Sequence, residues 1–156
     1  YRWHFVGQLQ SNKAKSVVRY ANAIHSLDRE SLLEALAKAV LARREQEPEF
    51  ELGVFVQLNL TEDPNRGGIH PSGLLDFADR VSAAPGLRLL GVMAVGSLEE
   101  TPEHDFALVR QASRQLQGRY PSAKFVSAGM SEDFETAISF GATHLRIGTA
   151  ITGKRQ

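Results

Sequence analysis

The sequence has 156 residues, with 18 Lys and Arg balanced by 18 Asp and Glu, five His and no Cys. A net charge of zero argues against a general nucleic-acid or membrane-surface binder, and the missing Cys excludes a disulfide scaffold, a thiolate nucleophile and a zinc-thiolate site. No apolar run approaches the roughly 20 residues that span a bilayer, and the start at Tyr1-Arg2-Trp3-His4-Phe5 lacks a signal-peptide layout, which is compatible with the cytosol.

Six short apolar runs read as buried strands: Trp3 to Val6, Ala23 to Leu27, Val54 to Leu60, Leu87 to Val95, Lys124 to Ala128 and His144 to Ile147. Most are continuous rather than alternating, as expected of parallel strands covered on both faces. Helical patterns fill the gaps. Ser11 or Asn12 can cap a short helix to Tyr20, and Asp28 can cap the next, with Leu32, Leu33, Leu36, Ala39 and Val40 at 3.6-residue spacing. Arg43 to Glu51 reads as a solvated helix end and loop. Pro71 opens a helix carrying Leu74, Leu75, Ala78 and Val81, and Ala84-Pro85-Gly86 ends it. Thr101-Pro102 repeats the device ahead of Phe106, Val109, Ser113 and Leu116. Ser131 can cap Glu132 to Phe140, with Gly141 placed as a C-terminal glycine.

Strands alternating with helices imply parallel βαβ units. An open dinucleotide-binding sheet is disfavoured, because Val6-Gly7-Gln8-Leu9-Gln10 is no G-x-G-x-x-G fingerprint, and no Walker A sequence occurs. The middle strand spacings of 31, 33 and 37 residues suit a (β/α)8 barrel, which averages about 31 residues per unit. A chain of this length holds five or six such units, so the pattern predicts an α/β TIM-type barrel, incomplete as given.

Function in such folds gathers at the C-terminal ends of strands. Two turns stand out. Ser127-Ala128-Gly129-Met130-Ser131 is rich in small residues, lets the backbone approach a ligand, and ends on a hydroxyl. Arg146-Ile147-Gly148-Thr149-Ala150 repeats the arrangement one unit later. Adjacent donor-rich turns in the last two units suit a phosphate, although Glu132 and Asp133 place negative charge nearby; the alternative is that Ser131 only caps a helix and the glycines only permit turns. Arg146, flanked by Leu145 and Ile147, should point inward, where its permanent charge needs a partner. That partner is a ligand or a core carboxylate. The five His show no H-x-x-x-H pairing, which argues against a metal site, and His4 and His144 read as core residues. No G-x-S-x-G occurs, which argues against Ser-His-Asp catalysis. Lys13, Lys15 and Arg66 read as solvated, Arg66 within the loop Asn65-Arg66-Gly67-Gly68.

Four strings together resemble one family. They are His4-Phe5-Val6-Gly7-Gln8-Leu9-Gln10-Ser11-Asn12-Lys13, Ile24-His25-Ser26-Leu27-Asp28, Ser127-x-Gly129-Met130-Ser131-x-Asp133 and Arg146-Ile147-Gly148-Thr149-Ala150-Ile151. They look like the pyridoxal phosphate (PLP) homeostasis protein family, YggS/PROSC. The resemblance implies a fold-type III barrel like the N-terminal domain of alanine racemase, without that enzyme's second domain. It implies a protein that binds PLP and buffers or delivers it in the cytoplasm, with no established turnover. PLP-dependent apoenzymes would be partners, and the complete protein a monomer.

Carried over by position, Ser131, Met130 and Gly129 would bind the phosphate from one turn, and Gly148 and Thr149 from the next. Arg146 would face the pyridine nitrogen and keep it unprotonated, which weakens the ring as an electron sink. His4 and Asn59 would lie near the cofactor. Two departures stand against the family pattern. Arg66 stands where several relatives have lysine. The Schiff-base lysine of the family's first strand, in a V-S-K type motif, and the G-E-N motif of its second strand are both absent, and Lys13 belongs to a different motif. The expectation is therefore strands three to eight of one barrel, filling residues 1–156, with the first two βα units absent and no catalytic residue in this chain. Such a piece should bind phosphate non-covalently at best and be poorly stable, because two strand edges are open. The alternatives are a racemase-like enzyme, which would need a second base such as a tyrosine, and a barrel for another phosphorylated metabolite.

Overall fold

The computed structural model describes residues 1–63, 65–97 and 100–153. Five strands form one parallel sheet in sequence order: β1 (Trp3–Phe5), β2 (Ala21–Leu27), β3 (Leu52–Leu58), β4 (Leu87–Ala94) and β5 (Phe125–Ser127). Between and after them run α1 (Ala14–Val18), α2 (Glu30–Arg44), α3 (Leu74–Ala83), α4 (Pro102–Arg119), α5 (Phe134–Ser139) and α6 (Thr149–Thr152). Parallel neighbours joined by helical crossovers, in unbroken sequence order, make a partial TIM-type barrel wall.

The inner strands β2, β3 and β4 are buried on both faces, which is why they read as largely apolar runs, whereas β1 is exposed. Ile24, Val54, Val56, Leu89, Val92 and Val126 pack with Leu32, Leu36, Phe77, Val81, Phe106 and Leu116 from the helices. Ala23, Phe55, Leu90 and Met93 form a separate cluster, joined by Phe125, on the concave face. Leu90 and Met93 share that face although they stand three positions apart, because β4 is irregular at Gly91. Its φ of +153° lies where only glycine is at ease, and a Cβ there would come within 1.8 Å of the Phe125 carbonyl oxygen. The extra residue resets the in–out alternation.

Several local expectations change. The sixth strand, His144 to Ile147, forms only a single parallel bridge, Ser127 with His144. Its neighbour β5 ends at Ser127, where the chain turns through Gly129 at φ +92°, so no ladder propagates. Asp28 does not cap α2: the N-cap is Arg29, and the Asp28 carboxylate instead accepts from Arg29 Nη1 at 2.6 Å. Ser131 does not cap α5 either, because that helix begins three residues later, after Asp133. Thr101 does cap α4, its hydroxyl accepting from His104 N–H at 3.3 Å with Pro102 in the first turn. Pro71 opens a 3-10 turn that leads into α3. No helix of the described residues is long and apolar enough to cross a membrane.

Candidate functional site

The concave face carries a line of polar side chains. Phe125 and Ser127 share one side of β5, so Ser127 points inward and is fully buried. His25 stands two residues beyond Ala23 on β2, 2% exposed, and its ring stacks on Phe55 with centroids 4.3 Å apart. His25 Nδ1 lies 2.7 Å from Ser127 Oγ, and His25 Nε2 lies 2.9 Å from His4 Nδ1 on β1. The His144 ring stacks against His4 at 5.8 Å.

Arg146 completes the line. Its Nη1 donates to Ser127 Oγ at 2.9 Å and its Nη2 to the Ala94 carbonyl at the end of β4 at 2.8 Å. No acidic side chain hydrogen-bonds to it among the described residues, so both acceptors are neutral. Burial lowers the guanidinium from its ordinary value, and the Asp133 carboxylate opposes that shift. An ion pair with a core carboxylate is therefore not what holds Arg146. Burial also lowers His4, helped by Arg2, and lowers His144, helped by His4. His25 falls to about 3, mainly through burial, with His4, His144 and Arg146 adding repulsion. His4, His25 and His144 are thus held toward the neutral form.

His4, Val6, His25, His144, Leu145, Arg146, Ile147 and Gly148 enclose an open cleft of about 800 Å³. No lysine lines it. Two backbone turns meet at its rim. Arg146 N–H donates to the Gly129 carbonyl at 2.9 Å, and Ala150 N–H donates to Ser131 Oγ at 3.3 Å. Gly129, at φ +92°, leaves no room for a Cβ, which would stand 2.7 Å from the Ala137 Cβ of α5. Around Gly148 a Cβ would meet open space. No described residue accepts from the N–H groups of Ser131, Gly148 or Thr149. Met130 N–H differs, because Asp133 Oδ1 takes it at 2.6 Å.

The structure thus brings together Gly129, Met130, Ser131, Arg146, Gly148, Thr149 and, through the histidine line, His4. Asn59 is elsewhere. Its amide donates to the Asp63 and Arg66 carbonyls, and its Oδ1 accepts from Thr61 N–H and Oγ1. It organises the loop after β3 and lines a different cleft, with Leu60, His70 and Gln111. Lys13 is exposed, in a further cleft with Gln8 and Arg29. His25 and Ser127 also belong to this candidate site, and sequence reasoning gave neither a role there. The signal was present at His25, a polar residue inside an apolar strand, as at Arg146. Among the described residues no group of three or more His, Asp or Glu is arranged to hold a metal.

The family model of the alanine racemase N-terminal domain matches residues 2–156. A pyridoxal phosphate homeostasis protein of Corynebacterium glutamicum is 40% identical over 155 residues, which cover 98% of this chain and 70% of that one. The chain belongs to the alanine racemase N-terminal domain family, among its pyridoxal phosphate homeostasis proteins. The homeostasis protein of Mycobacterium tuberculosis H37Rv is 37% identical over 158 residues, covering 99% of this chain and 61% of its own. The chain therefore spans about three fifths of that relative's length. Among solved structures, PipY of Synechococcus elongatus PCC7942 with PLP bound superposes with a TM-score of 0.82 at 30% identity. It is covered over 70% of its length by 97% of this chain. PipY thus shares the barrel wall described above.

Proposed function

We propose that this chain supplies the phosphate-binding and ring-facing wall of a PLP site, in a cytoplasmic protein that binds and buffers PLP without turning over a substrate. The observation that carries this reading is the joining of the two turns, Ser131 to Ala150 and Gly129 to Arg146, beside a half-buried guanidinium that hydrogen-bonds to no acidic side chain among the described residues. The free N–H groups of Ser131, Gly148 and Thr149 and the Ser131 hydroxyl fit an anionic phosphate. Asp133 already holds Met130 N–H, so Met130 would contribute position rather than a hydrogen bond. Arg146 keeps donor capacity beyond its two neutral acceptors and fits a ring nitrogen that must stay unprotonated. When bound, PLP would supply an aldehyde able to capture amines; the residues here bind and orient it.

These strands read best as the later part of a PLP-binding barrel; the PLP-bound PipY neighbour supports the barrel and its ligand. The cleft contains no lysine, so covalent attachment of PLP belongs to no residue that lines it. PLP-dependent apoenzymes remain the proposed recipients, and a monomer the proposed state. The test is PLP retention, read by absorbance after desalting, in the full polypeptide that carries this chain. Removing one charge-assisted hydrogen bond costs about 1.5–3 kcal/mol. Arg146→Ala and Ser131→Ala should therefore each weaken PLP binding by about tenfold or more. Normal retention in both variants would sink the assignment.

A further inference from the structure

The line from Arg146 to His4 has a direction that can be worked out from its donors. A guanidinium only donates, so Ser127 Oγ accepts from Arg146 Nη1 at 2.9 Å. The Ser127 hydroxyl has its own proton to place, and it is fully buried. The acceptor described for it is His25 Nδ1, at 2.7 Å. Donation there leaves neutral His25 with its proton on Nε2, which points at His4 Nδ1 at 2.9 Å. His4 Nδ1 then accepts, and the proton of neutral His4 stands on Nε2. Among the described residues that nitrogen has no partner, and His4 lines the same cleft as Arg146 and Gly148. The opposite order would put protons on His25 Nδ1 and His4 Nδ1. It would strand the buried Ser127 proton with no described acceptor, a cost that buried hydroxyls avoid. Stacking on His144 at 5.8 Å and a tilted contact with His25 at 5.1 Å limit how His4 can turn to escape this order.

We infer that Arg146, acting through Ser127 and His25, fixes His4 as a hydrogen-bond donor facing the cleft, so that the cleft selects a ligand with an acceptor oxygen or nitrogen at that point. His4 is then a specificity residue, and Ser127 and His25 are positioning residues. A ligand offering an ammonium or amide N–H to the same place meets a donor and is disfavoured. That the ligand is PLP rests on the function proposed above; the direction of the hydrogen-bond line does not.

The two parts are tested separately on 15N-histidine-labelled protein. In the ligand-free protein, NMR should show a one-bond N–H coupling at His25 Nε2 and none at His4 Nδ1, with a coupling through the hydrogen bond joining the two nitrogens. A proton found on His4 Nδ1 overturns the inference. Ser127→Ala removes the hydroxyl that sets the order, and the His25–His4 pair should then lose its single tautomer. An unchanged tautomer in a folded Ser127→Ala protein overturns it as well. If that variant does not fold, the wild-type spectrum decides alone. For the ligand, PLP itself is the probe. His4→Phe keeps an aromatic ring against His144 but removes the donor, and PLP binding should weaken about tenfold, as expected for one lost hydrogen bond. Unchanged PLP affinity overturns the role of His4 in selecting the ligand. If wild type binds no PLP, the proposed function fails and the selection of PLP with it, while the proton position on His25 still decides the direction of the line.

Discussion

Protonating His25 should cost this fold stability as the pH falls below that of a free histidine. Its ring is 2% exposed between Phe55, Ser127 and His4, and its folded pKa lies at about 3 against 6.5 for the free group. Between those values the unfolded chain binds the proton and the folded chain does not, so stability rises with pH. The contribution is complete above pH 6.5 and is lost progressively as pH falls toward 3. From pH 7 to pH 5 the unfolded histidine gains most of a proton. At about 1.36 kcal/mol per pH unit over some 1.5 units, the loss is about 2 kcal/mol. Any folded pKa below about 4 gives the same figure at pH 5, since the native ring stays neutral there. Burial lowers His4 and His144 too, so their contributions carry the same sign. Urea unfolding reads the effect directly. With m near 2 kcal/mol/M, the midpoint should fall by about 1 M between pH 7 and pH 5. His25→Gln lacks the titrating ring and should show a clearly smaller fall, at the cost of lower stability at pH 7. Equal falls in wild type and variant would refute the linkage and, with it, the view that His25 is held neutral by its surroundings.

Three other substitutions probe the frame that holds the site. Gly91→Ala would push a methyl into the Phe125 backbone at an unfavourable φ, and should cost at least about 3 kcal/mol in urea unfolding. A cost under about 1 kcal/mol would mean the β4 irregularity is not needed. Thr101→Ala removes the cap of α4 and should cost about 1 kcal/mol by the same measurement. Asp105 is 1% exposed; its Oδ2 accepts from Ser97 N–H at 2.5 Å, and its Oδ1 has no hydrogen-bond partner among the described residues. Asp105→Ala should therefore free the Ser97 amide to exchange, seen as faster hydrogen exchange there, and lower stability by about 1–3 kcal/mol. Unchanged protection at Ser97 would show that another group holds that loop.

The strands and long helices were legible because burial on two faces leaves a strong mark. Val54 to Leu60 and Leu87 to Val95 read as continuous apolar runs, and the structure places Leu52–Leu58 and Leu87–Ala94 in the sheet centre. The His144 segment carries the same kind of mark yet makes one bridge, because its apolar flanks do not reveal that the neighbouring strand ends at Ser127. Capping was less legible. Asp28 and Ser131 have the right side chains for a helix start, but each has a better partner in space, Arg29 for the first and Ala150 for the second.

By itself, then, the sequence determined a neutral, cysteine-free chain of parallel βα units, the two donor-rich turns, and an inward Arg146. It also determined the four motif strings that point to the family. Only the tertiary structure decided what those parts touch. His25 and Ser127 are 102 residues apart and meet because β2 and β5 curve toward a common concave face. Arg146 found Ser127 and Ala94 rather than a carboxylate, and Asn59 spent its hydrogen bonds on its own loop. Local sequence sets which face of a strand a residue occupies. Which residues share that face across the sheet depends on register and curvature, and Gly91 shows that one irregular residue can reset both.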